Sequence, residues 1–106
     1  MNVESFTGER ASLGDTPYPV LQLHLNRYYF ASNFCKNKVV LDAACGEGYG
    51  SYIIAKNAKN VVGLDISKQS ILSARERYGK ARNIDFVLGD VRYLPFKDEV
   101  FDIYIF

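Results

Sequence analysis

Apolar and polar positions alternate along this chain in blocks that predict strands and helices in turn. Short apolar runs rich in valine, leucine and isoleucine are separated by longer segments whose apolar residues recur at helical spacing. The predicted strands are Lys38–Ala43, Val61–Asp65, Ile84–Leu88 and Phe101–Phe106. The predicted helices are Val20–Cys35, Tyr49–Lys56 and Ser67–Tyr78, and residues 1–20, which glycine and proline interrupt, are predicted to be an N-terminal loop segment.

The alternation of strands and helices predicts a parallel sheet with right-handed crossovers. Runs such as Val39–Leu41 are apolar at every position, which is typical of strands covered on both faces. The connection Val91–Glu99 is too short for a crossover helix, so we expect one face of the sheet to be less well covered. The last strand would then be an apolar edge, and such an edge favours pairing with another chain.

Composition narrows the class of protein without naming a function. The 106 residues allow one domain, and a net charge of +1 gives no indication of nucleic-acid binding. No apolar run is long enough to span a bilayer and the N-terminus has no secretory pattern, so we expect a cytoplasmic protein without membrane association. Cys35 and Cys45 are expected to be reduced thiols, and one histidine without a close cysteine pair argues against a metal site.

The strongest chemical signal is a strand that runs into a glycine-dense turn. Val39–Ala43 is followed by Gly46, Gly48 and Gly50, and a predicted helix begins at Tyr49. Glycines at such a turn allow a ligand to approach the backbone, and a helix terminus adds N–H donors. Two ligand classes fit this arrangement, a dinucleotide and S-adenosylmethionine.

Spacing and charge favour S-adenosylmethionine over a dinucleotide. The dinucleotide fingerprint requires glycine or alanine at the position that Ser51 occupies here. Glu47 places a negative charge within the turn, which disfavours a pyrophosphate. Asp42, before the turn, and Glu47 together suit a ligand that carries an ammonium and a sulfonium.

Two further acids follow the next two predicted strands. Asp65 is placed to accept hydrogen bonds from both ribose hydroxyls, a role that would serve NAD equally well. Asp90 is placed to accept from the exocyclic amine of adenine, while Val91 offers a backbone N–H to the ring. Any one of these acids is equally consistent with a turn former. Their joint placement around one turn predicts a nucleoside pocket, and an NAD-dependent oxidoreductase fragment stays as an alternative.

These segments resemble the motifs of class I S-adenosylmethionine-dependent methyltransferases. The matching segments are Val40–Gly50 for the first motif, Val62–Ser67 for the ribose side, Leu88–Val91 with Leu94–Phe96 for the adenine side, and Phe101–Phe106 for the fourth strand. The resemblance implies an α/β fold with a Rossmann-like open parallel sheet of order 3-2-1-4, truncated after the fourth strand. It also implies that residues 21–106 are the portion that binds the cofactor.

The function that the resemblance implies is methyl transfer from S-adenosylmethionine to an unidentified acceptor. The residues it implies for cofactor binding are Asp42, Ala44, Gly46, Gly48, Asp65, Ile66, Asp90 and Val91. Sheets of this family continue beyond a fourth strand, so the acceptor-binding half is expected to be absent. No catalytic residue is assigned, and His24 is expected to be structural or solvated. A non-catalytic cofactor-binding module that forms homo-oligomers through the exposed sheet face or the last strand is the alternative.

Overall fold

The structure, a computed structural model, describes residues 18–97 and 100–106. Its helices are α1 (Tyr18–Ser32), α2 (Tyr49–Ala55) and α3 (Lys68–Tyr78), and its strands are β1 (Val39–Ala43), β2 (Asn60–Asp65), β3 (Ile84–Leu88) and β4 (Ile103–Ile105). The loop predicted for residues 1–17 lies outside the described residues. Within the described part of the chain, no helix is long and apolar enough to cross a membrane.

The four strands form one parallel sheet in the order β3-β2-β1-β4, which confirms the predicted fold class. β1 lies inside the sheet, where Asp42 pairs with Gly63 of β2 and Val40 pairs with Ile103 of β4. Before β4, Asp102 accepts a hydrogen bond from the Val39 N–H at 2.9 Å, at the amino end of β1. Because all strands run in one direction, their carboxyl ends meet at the opposite edge of the sheet.

The two faces of the sheet carry separate apolar clusters, because successive side chains along a strand point to opposite faces. The larger cluster joins the sheet to the helices and includes Val40, Val61, Ile84 and Phe86 from the strands and Ile54, Ile71 and Ala74 from α2 and α3. The smaller cluster contains Leu41, Leu64 and Phe101, with Phe96 packed against it. No residue of a described helix belongs to the smaller cluster, so the uneven cover predicted for the sheet is confirmed.

The ends of α1 differ from the predicted Val20–Cys35. The helix begins at Tyr18, because Pro19 lies in the first turn, where the N–H that proline lacks has no helical partner to lose. It ends at Ser32, beyond which Asn33 and Phe34 donate to carbonyls three residues back, at 3.2 and 3.0 Å. The loop predicted through residue 20 and the helix predicted through Cys35 are therefore wrong at these ends.

The start of α3 follows the prediction closely. The Oγ of Ser67 accepts a hydrogen bond from the Ser70 N–H at 3.2 Å, so Ser67 is the N-cap residue. The helix then runs to Tyr78, the predicted last residue. This cap fixes the backbone just after β2, which is where the candidate site begins.

Candidate functional site

The turn after β1 changes direction through alternate residues of left-handed backbone. Ala44, Gly46 and Gly48 have φ angles of 61°, 59° and 93°. Glycine adopts this conformation freely, whereas an alanine there costs about 1–2 kcal/mol. Between them, Cys45 is buried and its N–H donates to the Leu64 carbonyl at 2.8 Å, which continues the ladder to β2. The turn is therefore held against β2 while Ala44 stays exposed.

Two glycines of the turn are required by packing inside the protein. A Cβ at Gly50 would collide with the ring of Tyr28, and a Cβ at Gly48 would lie 2.8 Å from the ring of Phe86. The sequence interpretation had explained these glycines by ligand approach. The structure instead explains them by the close approach of α1 and β3 to the backbone, and the predicted contact of Gly48 with a cofactor stays a prediction.

The Asp65 carboxylate joins the two loops at the carboxyl ends of β1 and β2. Its Oδ2 accepts from the Gly46 N–H at 2.8 Å, and its Oδ1 accepts from the Ser67 N–H at 2.9 Å. The residue is only 3% exposed, and bonds from backbone N–H groups to an ionised carboxylate are stronger than those between neutral groups. Asp65 therefore fixes the glycine turn against the start of α3.

The Asp42 carboxylate is enclosed between β1 and the helices. Tyr28 donates its hydroxyl to Oδ1 at 2.9 Å, and Ser51 donates to Oδ2 at 2.7 Å. Burial first, and then the negative charge of Asp42, raise the pKa of Tyr28 well above its usual value, so the phenol stays a donor. In register, Asp42 lies opposite Gly63 and hence two residues before Asp65. It lines neither cavity described below, and its predicted contact with a ligand ammonium stays a prediction.

A first cavity, here called the strand-end cavity, lies at the carboxyl ends of β2 and β3. It measures about 120 Å³ and is lined by Ala44, Leu64, Asp65, Ile66, Gly89, Asp90 and Val91. Five of the eight residues predicted to bind a cofactor meet here. Gly46 supports this wall indirectly, since its N–H is bonded to Asp65.

Asp90 has a charged partner that the sequence reasoning missed. Arg92 donates from Nε to both carboxylate oxygens at 3.0 and 3.1 Å, from Nη2 at 2.6 Å, and from its backbone N–H at 2.9 Å. These side-chain bonds come first, and the backbone bond second, in lowering the pKa of Asp90 to about 2. An aspartate side chain that accepts a hydrogen bond from the backbone N–H two residues later commonly forms a turn. The two-residue spacing of Asp90 and Arg92 in the sequence therefore indicated this contact.

A second cavity, here called the α1 cavity, lies between α1 and the carboxyl ends of β1 and β4. It measures about 260 Å³ and is lined by His24, Arg27, Tyr28, Phe30, Ala31, Ala43, Ala44, Ile105 and Phe106. Ala44 borders both cavities. The sequence reasoning did not predict this cavity, although His24, Arg27, Tyr28 and Ala31 recur at the spacing of one helical face.

Glu47, which the sequence interpretation paired with a cationic ligand, is tied to α3. Its Oε1 accepts from the Ser73 hydroxyl at 3.1 Å, and the side chain is half-buried. No lysine or arginine side chain lines the strand-end cavity, so its described walls offer no cation for a pyrophosphate.

Comparisons with known proteins place this geometry in context. A family model of the methyltransferase domain matches residues 40–106. A relative from Mycolicibacterium smegmatis, named a probable S-adenosylmethionine-dependent methyltransferase, is 34% identical over 101 residues, which cover 93% of this chain and 38% of the relative. The chain thus spans well under half the length of this relative.

Solved structures share the fold. The crystal structure of a protein from Pyrococcus horikoshii matches with a TM-score of 0.72 and 33% identity, covering 92% of this chain and 46% of that protein. A phosphoethanolamine N-methyltransferase from Haemonchus contortus, solved with phosphoethanolamine and S-adenosylhomocysteine, matches with a TM-score of 0.65. At 23% identity, with 80% of this chain and 19% of that chain covered, the second match shows the fold alone.

The left-handed backbone at Ala44 predicts that Ala44→Gly leaves the free energy of unfolding unchanged or raises it by up to about 1 kcal/mol. Relief of strain outweighs the greater freedom of glycine in the unfolded chain, and the exposed methyl group loses no burial. The matched variant Ala43→Gly, at a buried strand position, is expected to lower that free energy by about 1–2 kcal/mol. Urea unfolding measures both, and equal losses in the two variants would contradict the assignment.

The pairing of Asp90 with Arg92 predicts a pH effect that one substitution removes. In Arg92→Ala, the pKa of Asp90 should rise from about 2 toward its ordinary 3.8, as read from the carboxyl carbon by NMR titration. The pKa of Asp90 is lower in the folded chain than in the unfolded chain. The contribution of Asp90 to the free energy of unfolding is therefore complete above the ordinary pKa and is lost as the pH falls toward 2. Arg77→Ala, which removes an exposed arginine of α3, should leave the value unchanged. A pKa that stays near 2 without Arg92 would refute the pairing.

Proposed function

Because this chain belongs to the class I S-adenosylmethionine-dependent methyltransferases, we propose that it supplies the cofactor site of a methyl-transfer enzyme and that the strand-end cavity receives the adenosine end. The cofactor of this family is S-adenosylmethionine. The observation that carries the proposal is the meeting of Asp65 and Asp90 with Ala44 in one cavity beside the glycine turn. The methyl acceptor is not identified by these residues.

Asp65 is suited to the ribose because its position is fixed before any ligand arrives. Its two bonds to Gly46 and Ser67 hold the carboxylate in place, so ribose hydroxyls would meet an acceptor that needs no rearrangement. A carboxylate has about four acceptor sites, so one carboxylate can accept from backbone N–H groups and from hydroxyl groups together. Asp65 would therefore orient the nucleoside while it keeps the turn closed.

Apolar side chains around the same cavity suit the adenine ring. Ile66 and Val91 line the cavity and are 65% and 40% exposed, although both are large hydrophobic residues. Exposed apolar groups at a concave site favour an occupant that covers them. The Asp90 carboxylate, held by Arg92, lies at the same wall and would accept from the exocyclic amine of adenine.

The charges of the site favour a nucleoside without phosphates. The strand-end cavity presents two carboxylates, Asp65 and Asp90, and the arginine beside them is already engaged with Asp90. A pyrophosphate would meet repulsion here, which disfavours an NAD-dependent reaction. When bound, S-adenosylmethionine supplies an electrophilic methyl group on a sulfonium. The chain's own residues would bind the nucleoside, orient it and keep water from its apolar side.

The proposal predicts that Asp65→Asn selectively weakens recognition of the ribose. Calorimetry with S-adenosylhomocysteine should show an affinity about 10- to 150-fold lower, since a charge-assisted bond contributes about 1.5–3 kcal/mol. The 2′-deoxy analogue of S-adenosylhomocysteine separates a direct contact from a damaged turn. Wild type should prefer the ribose form, and Asp65→Asn should lose most of that preference.

The matched control for this experiment is Asp85→Asn, the same chemical change at an exposed position of β3. It should bind both ligands as wild type does. A preference for ribose that survives in Asp65→Asn would reject the assignment of Asp65. Tighter binding of NADH than of S-adenosylhomocysteine by wild type would reject the proposed cofactor site.

A further inference from the structure

The edge of the sheet opposite the candidate cofactor site carries a concentration of positive charge. The described helices end at this edge, and three loops lead from them to the amino ends of β1, β2 and β3, at residues 33–38, 56–59 and 79–83. These loops contain six of the chain's 13 lysine and arginine residues and no aspartate or glutamate. The six residues, here called the amino-edge surface, are all exposed: Lys36, Lys38, Lys56, Lys59, Lys80 and Arg82.

Hydrogen bonds between neighbouring loops bring these cations onto one surface. The Lys59 N–H donates to the Lys38 carbonyl at 2.8 Å, which joins the second loop to the first. The Nδ2 of Asn83 donates to the Ala58 carbonyl at 3.2 Å, which joins the third loop to the second. The three loops therefore lie side by side, as do the strands they enter, which are about 4.8 Å apart.

Little negative charge opposes the amino-edge surface among the described residues. Asp102 lies near the amino end of β1, where its carboxylate accepts from the Val39 N–H, and Asp85 is the exposed second residue of β3. Near the end of α3, Glu76 is flanked by two arginines. None of the six cations forms an ion pair with a described acid. The surface therefore keeps its positive charge available to a partner.

The length of the strands separates this charge from the acids at the other edge. Glu47, Asp65 and Asp90 lie at the carboxyl ends of the strands, and a strand of five or six residues spans about 16–20 Å. That distance exceeds the Debye length of about 8 Å at physiological salt, so the two edges attract partners independently. A net charge of +1 conceals this separation, and neither the net charge nor the search for a spanning segment tested for it.

The composition and shape of the amino-edge surface favour a flat anionic partner. Five of its six cations are lysines, which attract anions as point charges. Recognition of individual phosphates and bases relies more on the bidentate fork of arginine. Both cavities described above lie at the carboxyl ends of the strands, whereas the cations lie on exposed loops. A strand of nucleic acid is typically followed by a positively charged groove.

The aromatic residues near this surface favour the same kind of partner. Phe34, in the first loop, is 62% exposed and packs edge-on against Phe30 of α1 at a centroid distance of 5.3 Å. An exposed apolar ring beside lysines suits the boundary between lipid headgroups and acyl chains. Tyr52, by contrast, stacks on Tyr78 at 4.9 Å and has the Lys56 ammonium 5.3 Å from its centroid. Its ring is thus engaged within the protein, whereas binding of single-stranded nucleic acid uses free rings.

We propose that the amino-edge surface docks this chain on an anionic lipid bilayer, with its lysines against the headgroup phosphates and Phe34 at the boundary of the acyl chains. Clusters of about four to eight lysine and arginine residues are typical of such contacts. Docking through this edge leaves the strand-end cavity, at the opposite edge, open to solution. It goes beyond the proposed function and does not depend on it.

Co-sedimentation with vesicles tests the docking. The 106-residue chain is mixed with vesicles of phosphatidylcholine alone, or of phosphatidylcholine and phosphatidylglycerol in equal parts. Its affinity should be at least about 100-fold higher for the mixed vesicles. That preference should fall as salt is raised from about 0.1 M to about 1 M, because the Debye length shortens from about 10 Å to about 3 Å. Equal binding to both vesicles, or binding to neither, would overturn the inference.

Matched lysine substitutions locate the contact. Lys59→Gln should weaken binding to the mixed vesicles about fivefold, and the addition of Lys36→Gln should bring the loss to about 25-fold, since each lysine near an anionic surface contributes about fivefold. Lys68→Gln, the same change at the exposed first residue of α3 on the opposite edge, should stay within about twofold of wild type. A double variant that binds as tightly as Lys68→Gln would refute the placement.

A third pair of variants and a competitor distinguish a bilayer from other polyanions. Phe34→Ser should weaken binding to the mixed vesicles about 3- to 10-fold. Tyr93→Ser, at a 75% exposed aromatic residue in the loop after β3, should leave it unchanged. Wild-type affinity in Phe34→Ser would overturn the inference. So would displacement of the chain from the mixed vesicles by oligouridylate at equal phosphate concentration, which would assign the surface to nucleic acid.

The vesicle experiments are independent of the cofactor. Each variant should keep the circular dichroism spectrum and the S-adenosylhomocysteine affinity of wild type, because the substituted side chains line neither cavity. Failure of wild type to bind S-adenosylhomocysteine would count against the proposed function alone, since vesicle binding is measured without that ligand.

Discussion

The buried carboxylate of Asp65 is the interaction on which the candidate site depends. It receives the Gly46 N–H from the turn after β1 and the Ser67 N–H from the start of α3, at 2.8 and 2.9 Å. These two bonds are added where the ladders of β2 end, just after Cys45 donates to the Leu64 carbonyl and Gly89 donates to the Asp65 carbonyl, at 2.8 and 2.9 Å. The Asp65 carboxylate therefore holds together the two loops that border the strand-end cavity.

A second buried carboxylate shows how register decides the role of an acid. Asp42 and Asp65 both close apolar runs, yet Asp42 pairs with Gly63, two residues before Asp65, which is the last residue of β2. Because Asp42 lies two residues further inside the sheet, its carboxylate accepts from Tyr28 and Ser51 and so joins α1 and α2 to the sheet. The same residue type thus stabilises the core on one strand and shapes the site on its neighbour.

Strands, helices and caps follow from local sequence patterns and were predictable. Contacts between elements that are distant in the sequence were not. Apolar runs and the Ser67 cap predicted the strands, the helices and hence the edge where Asp65, Asp90 and Ala44 meet. Sequence alone could not show that Gly50 accommodates the Tyr28 ring, because the contact joins two separate helices. The α1 cavity was missed for the same reason, since its wall combines α1 with the distant residues Ile105 and Phe106.

An amide NMR titration shows whether the nucleoside end of the cofactor lies in the strand-end cavity. The ¹⁵N-labelled chain is titrated to saturation with S-adenosylhomocysteine while all backbone amides are observed. If it does, the largest shifts are expected at Gly46, Ile66 and Val91, with little change at Asp102 near the amino end of β4. Shifts confined to the amino ends of the strands, or none at saturating ligand, would contradict it.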